Sequence, residues 1–433
     1  MRQRLTGAVT LVATLLTLSL SAANYPTSEP IKSIPLPPAG QRWILNEHLS
    51  DEFNDTKLNQ DKWLDHHPTW KGRAPGLFMP KNIEFKDGCM VLRGEKMERD
   101  TTVNGEVFDT SCAAVISKDR SAHYGYYECR FKANQTTLSS TFWFSTRGNH
   151  DTKGRQPEGA APGMFAQELD VCECIGRDGD FMGRFFYDGM NSNVHYWFSP
   201  EDGSARQDIR IKETRLRRED GAKPSEGFNT YGVWWRDSEC ATFYLNNGEG
   251  EHREFKGRPK HSGPFDVDFR LTEPMSLHMV VETYPFPWIP LPTDEELADP
   301  TRNRTYYDWV RSYLLVDANE KNNGAAEMTM FEDQINIASK PSSLTKGDSL
   351  EIHYTAGVDR EIMVVLYNEK GKIVANKTLS ALAGYGNIEV DVPTGKKVAE
   401  GENYSIVAYL GAKSSKLTAE YLSGDSFSAK FTK

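Results

Sequence analysis

Between Asn82 and Val316 the chain is a succession of short apolar-alternating segments, each closed by Gly, Pro, Asn or Asp, and this spacing leaves little room for helices. Asn82–Phe85, Cys89–Arg93, Ala113–Ser117, Gly125–Ala133 and Thr141–Ser145 come first, with Lys86-Asp87-Gly88 as a hairpin turn between the first two. Val194–Phe198, Thr230–Trp235, Ala241–Leu245, Ser276–Glu282 and Tyr307–Val316 follow. Tyr231-Gly232-Val233-Trp234-Trp235 alternates with period two, and only Thr293–Leu297 has a helical look. The pattern predicts an all-β, antiparallel sandwich.

One of these segments carries an unusual load. Glu168-Leu169-Asp170-Val171-Cys172-Glu173 puts three carboxylates within six residues of otherwise apolar or sulfur-bearing chain. On a strand, Glu168 and Asp170 share a face and Glu173 points the other way. One extra residue after Asp170, a β-bulge, returns Glu173 to that face and leaves Leu169, Val171 or Cys172, and Cys174 to pack beneath. Three buried, unpaired acids are too costly to be incidental. They line a wet cleft or bind a cation, and a plain solvated face is the competing reading. Acetal hydrolysis with retention needs such a set: an ionised nucleophile and a protonated acid roughly 5–5.5 Å apart. A third carboxylate between them would couple their titrations and help keep Glu173 protonated.

The flanks set the context. Arg2 and Arg4, an apolar run from Ala8 to Leu20 and then Ser21-Ala22-Ala23 form a secretory signal pattern over residues 1–23. That run is too short to span a membrane, and no later stretch is long enough, so secretion without a membrane span is expected. A formal charge of −10 argues against nucleic acid as a partner. Six cysteines in an exported chain permit up to three disulfides, with Cys89 and Cys112 able to pair; burial as small apolar groups is the competing reading. Residues 24–40 are an extended, proline-rich lead. After Val316 the composition turns polar and Trp disappears, giving a linker over 317–330. Residues 331–433 then hold six more strand patterns, the mark of a small immunoglobulin-like β-sandwich.

The Glu-x-Asp-x-x-Glu motif resembles that of glycoside hydrolase family 16, and further pieces match in order. They are Ser50-Asp51-Glu52-Phe53, Tyr124-Gly125-Tyr126-Tyr127-Glu128-Cys129-Arg130, Thr141-Phe142-Trp143-Phe144, Tyr231-Gly232-Val233-Trp234-Trp235 and Tyr307-Asp308-Trp309-Val310-Arg311-Ser312-Tyr313. The resemblance covers residues 41–316 and implies a β-jelly-roll catalytic domain acting with retention, with Glu168 as nucleophile, Asp170 as assisting acid and Glu173 as acid/base. Trp70-Lys71-Gly72-Arg73-Ala74-Pro75-Gly76-Leu77-Phe78, the Asn193–Trp197 strand and Leu291–Pro300 resemble the galactanase branch of that family. The implied activity is endo-hydrolysis of β-galactosidic linkages in red-algal galactans of agar or porphyran type. κ-Carrageenan or furcellaran hydrolysis is the alternative, followed by β-1,3-glucan hydrolysis or a non-catalytic carbohydrate-binding role.

Trp70 and Trp143 are candidates to stack on a galactose ring, Arg73 and Arg177 to pair with sulfate or cleft hydroxyls, His195 to donate to a sugar hydroxyl, and Glu282 to face the cleft. Arg177 and Arg184, just after Glu173, are weaker candidates of the Arg73 kind. Core packing, surface placement or structural pairing is the competing reading for each. No cofactor for catalysis is implied. The family resemblance adds a structural calcium, with Asp308 at a frequent ligand position. The expected partner is the polysaccharide alone, a galactan with or without sulfate, met by a monomer.

Overall fold

The computed structural model describes residues 24–146, 163–204, 207–248, 251–254, 270–321, 328–414 and 416–432. The signal pattern of residues 1–23 and the middle of the expected linker lie outside them. The alternating segments form two facing sheets of a jelly roll, as the sequence pattern predicts. The concave sheet runs in the order Gln207–Leu216, Met190–Pro200, Gly163–Ile175, Ser139–Ser145, Ser276–Val281, Glu106–Ser117, Trp63–Leu64. Gly76–Phe78 and Glu95–Val103 attach to it through Glu106–Ser117. The facing sheet runs Glu251–Glu254, Cys240–Leu245, Asn229–Trp235, Gly125–Lys132, Arg304–Asp317, Gln41–Leu45. Between the sheets lies one apolar core that includes Phe142, Phe144, Leu169, Cys172, Met279, Tyr307 and Val310. The one α-helix among the described residues, Asp294–Ala298, begins at a capping box in which Thr293 and Glu296 exchange hydrogen bonds.

The facing sheet does not stop at the jelly roll. Gln41–Leu45 pairs on its outer side with Gly384–Asp391, and the same ladder continues through Ser349–Ala356 to Gln334–Ile337. These strands are one layer of the C-terminal sandwich, whose other layer is a five-stranded sheet from Ser343 to Phe431. A sheet edge with unpaired amides invites pairing, and here the second sandwich supplies it. An apolar cluster of Ile34, Trp43, Tyr126, Trp234, Tyr313, Met328, Phe331, Ala383 and Tyr385 seals the junction. The expected linker over 317–330 is therefore packed at its described ends. Ala318 donates its amide to Gly40, and Met328 and Phe331 are buried. Fully buried Arg42 binds the carbonyls of Ala318, Glu320 and Ala383. The proline-rich lead runs along the C-terminal sandwich. The Tyr25 ring lies 4.8 Å from that of Tyr367, and Ser28 donates its amide to Asp425 over 3.1 Å.

All six cysteines are free, five of them buried. The Cys89–Cys112 pair that the sequence permits does not form, because the two strands belong to opposite sheets. Burial as small apolar groups accounts for them.

Candidate active site

The signature strand, Gly163–Ile175, is the third strand of the concave sheet, between Ser139–Ser145 and Met190–Pro200. Its register slips after Asp170 against both neighbours, which is the bulge that the three-acid spacing requires. Glu168, Asp170 and Glu173 consequently all line one cleft of about 780 Å³. Leu169, Val171, Cys172 and Cys174 are fully buried on the core side.

Each acid has a different setting. Glu168 accepts a 2.9 Å hydrogen bond from the Trp197 indole on the neighbouring strand. Asp170 is buried and lies 3.3 Å from His195 Nε2. Glu173 accepts a 2.7 Å hydrogen bond at Oε1 from the Tyr284 hydroxyl. Burial, reinforced by the charge of Asp170, pushes the Glu173 carboxyl up to about 7, while Tyr284, His195 and Arg73 pull against it. The like-charge repulsion expected from the sequence is thus present, but desolvation is the larger cause.

The opening loop, Trp70–Phe78, closes one wall. Gly72 has φ +115°, and a side chain there would collide with the Gly76 carbonyl, so the loop can double back on itself only with glycine at this point. The turn carries Arg73 across the cleft to Glu282, Nε to Oε2 at 3.1 Å. Burial works against the guanidinium charge, but the Glu282 carboxylate holds Arg73 firmly protonated. Burial pushes the Glu282 carboxyl up, and Arg73 pulls it back. The guanidinium also sits 4.9 Å from the Phe286 ring centre and 5.8 Å from that of Trp70. Trp70 and Trp143 meet edge to face at 6.5 Å, and Trp143 is backed by the His278 imidazole, stacked at 4.0 Å. Burial, with His67 close by, keeps His278 neutral.

Trp70, Arg73, Trp143 and Glu282 therefore converge with the three acids. Four other expectations change. His195 turns to Asp170 and stacks on Trp197, ring centres 5.2 Å apart, so it braces the acids and is not among the residues lining the cleft. Arg177 lies beyond the end of the strand, where Gly176 turns the chain, and it is bound to Glu296 at 2.6 Å. Arg184 pairs with Asp178 at the surface. Asp308, proposed for calcium, faces Arg130 in an ion pair. Among the described residues the one group of three ligand-type side chains is Glu168, Asp170 and His195, which belongs to the acid site itself.

Several contributors escaped the sequence reading. Trp197 and Tyr284 are single aromatics in aromatic-rich stretches, with nothing local to set them apart. His67 receives the amides of Thr69 and Trp70 on Nδ1 and so shapes the opening loop. The hairpin of Glu95–Val103 and Glu106–Ser117 brings Val103, Asn104, Glu106 and Phe108 to the cleft.

A bulged jelly-roll strand that sets two carboxyls in one cleft, one of them pushed toward neutrality, defines a retaining glycosidase of the two-carboxylate class. The chain belongs to glycoside hydrolase family 16, with residues 43–315 matching its β-porphyranase A–D domain. Residues 335–419 match a porphyranase-associated domain. The chain is 41% identical to β-porphyranase D of Zobellia galactanivorans across 92% of this chain and 93% of that one. It is 36% identical to β-porphyranase B of Phocaeicola plebeius, over 67% of this chain and 91% of the relative. The crystal structure of a β-porphyranase from the gut bacterium Bacteroides plebeius aligns with a TM-score of 0.56 at 34% identity, covering 66% of this chain and 96% of that chain.

Proposed function

We propose that this chain is an exported enzyme that cleaves internal β-galactosidic bonds of a red-algal galactan, porphyran first and agarose second, with Glu168 as nucleophile and Glu173 as acid/base. The observation that carries this reading is the bulge, which turns both carboxyls into one cleft whose wall is Trp70, Arg73 and Trp143. In the first step Glu168 attacks the anomeric carbon as Glu173 protonates the departing oxygen, leaving a glycosyl ester on Glu168. In the second, Glu173 takes a proton from water, which opens the ester and restores the configuration. Trp197 holds one Glu168 oxygen, and Asp170, braced by His195, keeps negative charge beside the site so that Glu173 retains its proton.

The Trp70 and Trp143 rings suit the apolar face of galactose. Arg73 reaches Glu282 through Nε alone, and its terminal nitrogens have no protein hydrogen bond among the described residues. That fork suits a sulfate ester or paired hydroxyls. The long match to β-porphyranase D and the agarases among the relatives support an agar-type backbone over κ-carrageenan, furcellaran or laminarin. No helix among the described residues is long and apolar enough to cross a membrane.

Reducing-end release on porphyran, agarose, κ-carrageenan, furcellaran and laminarin tests the substrate. Porphyran or agarose should lead, and cleavage of laminarin alone would overturn the galactan reading. Glu168→Gln should abolish turnover of whichever polymer is cleaved.

A further inference from the structure

We infer that Tyr284 is a positioning residue for the acid/base: its hydroxyl, fixed on Glu173 Oε1, leaves the proton on Oε2 and stabilises the carboxylate formed when that proton is given away. The inference rests on the acid/base role proposed for Glu173.

Tyr284 lies just past the end of the Ser276–Val281 strand and is 2% exposed. Its ring is clamped by Phe186, with centres 5.6 Å apart, and by Phe286 at 5.3 Å, while the Arg73 guanidinium lies 5.6 Å from the ring centre. With the ring so held, the hydroxyl oxygen is fixed 2.7 Å from Glu173 Oε1. The Glu173 backbone is fixed as well, because the Asn191 side-chain Nδ2 donates to its carbonyl over 2.9 Å. An O–H that donates to Oε1 disfavours a proton on that oxygen, so the neutral acid carries its proton on Oε2.

The step then balances. The Oε2 proton moves to the glycosidic oxygen, which keeps the electron pair of the breaking bond to the anomeric carbon, while a Glu168 oxygen forms the new bond. Glu173 is left anionic, and its hydrogen bond from Tyr284 becomes charge-assisted, hence stronger in the transition state than before it. Burial, together with the neighbouring carboxylates, keeps Tyr284 protonated far above neutrality, so it remains a donor throughout the cycle. The charged groups facing Glu173 are Glu168 and Asp170 on its own strand, His195 on the next, Arg73 from the opening loop and Glu282 from the strand end.

The test is Tyr284→Phe, assayed on the polymer and on a galacto-oligosaccharide with a dinitrophenolate leaving group, which departs without protonation. On the polymer, kcat should fall roughly tenfold to a hundredfold with KM within about twofold. The basic limb of kcat/KM should move up by roughly half to one pH unit, because the carboxylate has lost a donor. The dinitrophenolate burst should stay close to that of the unsubstituted enzyme. An unchanged polymer pH profile, or equal losses on both substrates, would overturn the inference. Should Tyr284→Phe not fold, 3,5-difluorotyrosine at 284 retains the shape with a stronger donor and should move the basic limb down; no movement would overturn it. Glu173→Gln is the control: it should lose the polymer and keep the activated substrate. If it keeps the polymer, the acid/base assignment itself fails, and Tyr284 with it. If Glu173→Gln behaves as expected and Tyr284→Phe does not, only the role of Tyr284 is overturned.

Discussion

Glu128 offers a test of how the two sandwiches are joined. It sits on the Gly125–Lys132 strand of the facing sheet, 3% exposed, and accepts hydrogen bonds from Tyr126 at 3.1 Å and Tyr313 at 3.2 Å. Both tyrosines belong to the apolar cluster at the junction. Burial pushes the Glu128 carboxyl from its ordinary 4.5 up to about 7, against the pull of Arg311 and the two hydroxyls. Where the unfolded chain has already released this proton, the folded chain still holds it. Stability therefore falls as pH rises from 4.5 to 7 and levels off above that window. A displacement of about two and a half units, at roughly 1.4 kcal/mol each, makes the loss about 3 kcal/mol. Glu128→Gln has the same shape and no proton to lose. Relative to the unsubstituted protein, it should gain about 3 kcal/mol in going from pH 4 to pH 8. Urea unfolding at the two pH values measures the gain. A stability difference between the two proteins that does not change with pH would refute the buried-carboxyl account.

Ending the chain at Asp317 strips Met328, Phe331, Ala383 and Tyr385 from the junction and leaves the outer side of Gln41–Leu45 unpaired. Partial exposure of Trp43, Tyr126, Trp234 and Tyr313 should cost on the order of 5 kcal/mol, seen as a lower melting temperature or self-association through the bared edge. An unchanged midpoint would show that the second sandwich is not part of the jelly roll's stability. Trp197→Phe removes the 2.9 Å bond to Glu168 and should lower kcat about tenfold with KM little changed, in steady-state assays on the polymer. Arg73→Lys keeps a charge but not the planar fork that spans Glu282 and the aromatic wall; it should raise KM roughly tenfold, more than it lowers kcat.

What the sequence revealed and what it concealed follow from the range of the forces involved. The bulge was legible because the strand period is strictly two, so three acids at 168, 170 and 173 share a face only if one residue is inserted. Trp70, Arg73 and Trp143 were legible as members of motif-bearing segments that the jelly roll folds together, and Glu282 as a carboxylate at the end of a late strand. Arg177 misled because nearness to Glu173 in sequence does not carry it into the cleft: the strand ends at Ile175, and Glu296 captures the guanidinium from a distant capping box. His195 was placed on the right strand, but its partner is Asp170, a choice set by register between strands. Tyr284, Trp197 and the 95–117 hairpin reach the cleft through tertiary packing alone. The junction was hidden for the same reason: Trp43 pairs with Tyr385, and no local pattern announces a ladder between residues so far apart.

The central claim is that Glu168 forms the covalent bond to sugar. A 2-fluoro galacto-oligosaccharide with an activated leaving group slows breakdown of the ester and lets it accumulate. Peptide mass spectrometry of the labelled protein should place the sugar on the 163–175 segment at Glu168, with no label on Glu168→Gln. A label on Glu173 or Glu282, or rapid turnover with inverted product configuration, would contradict the account.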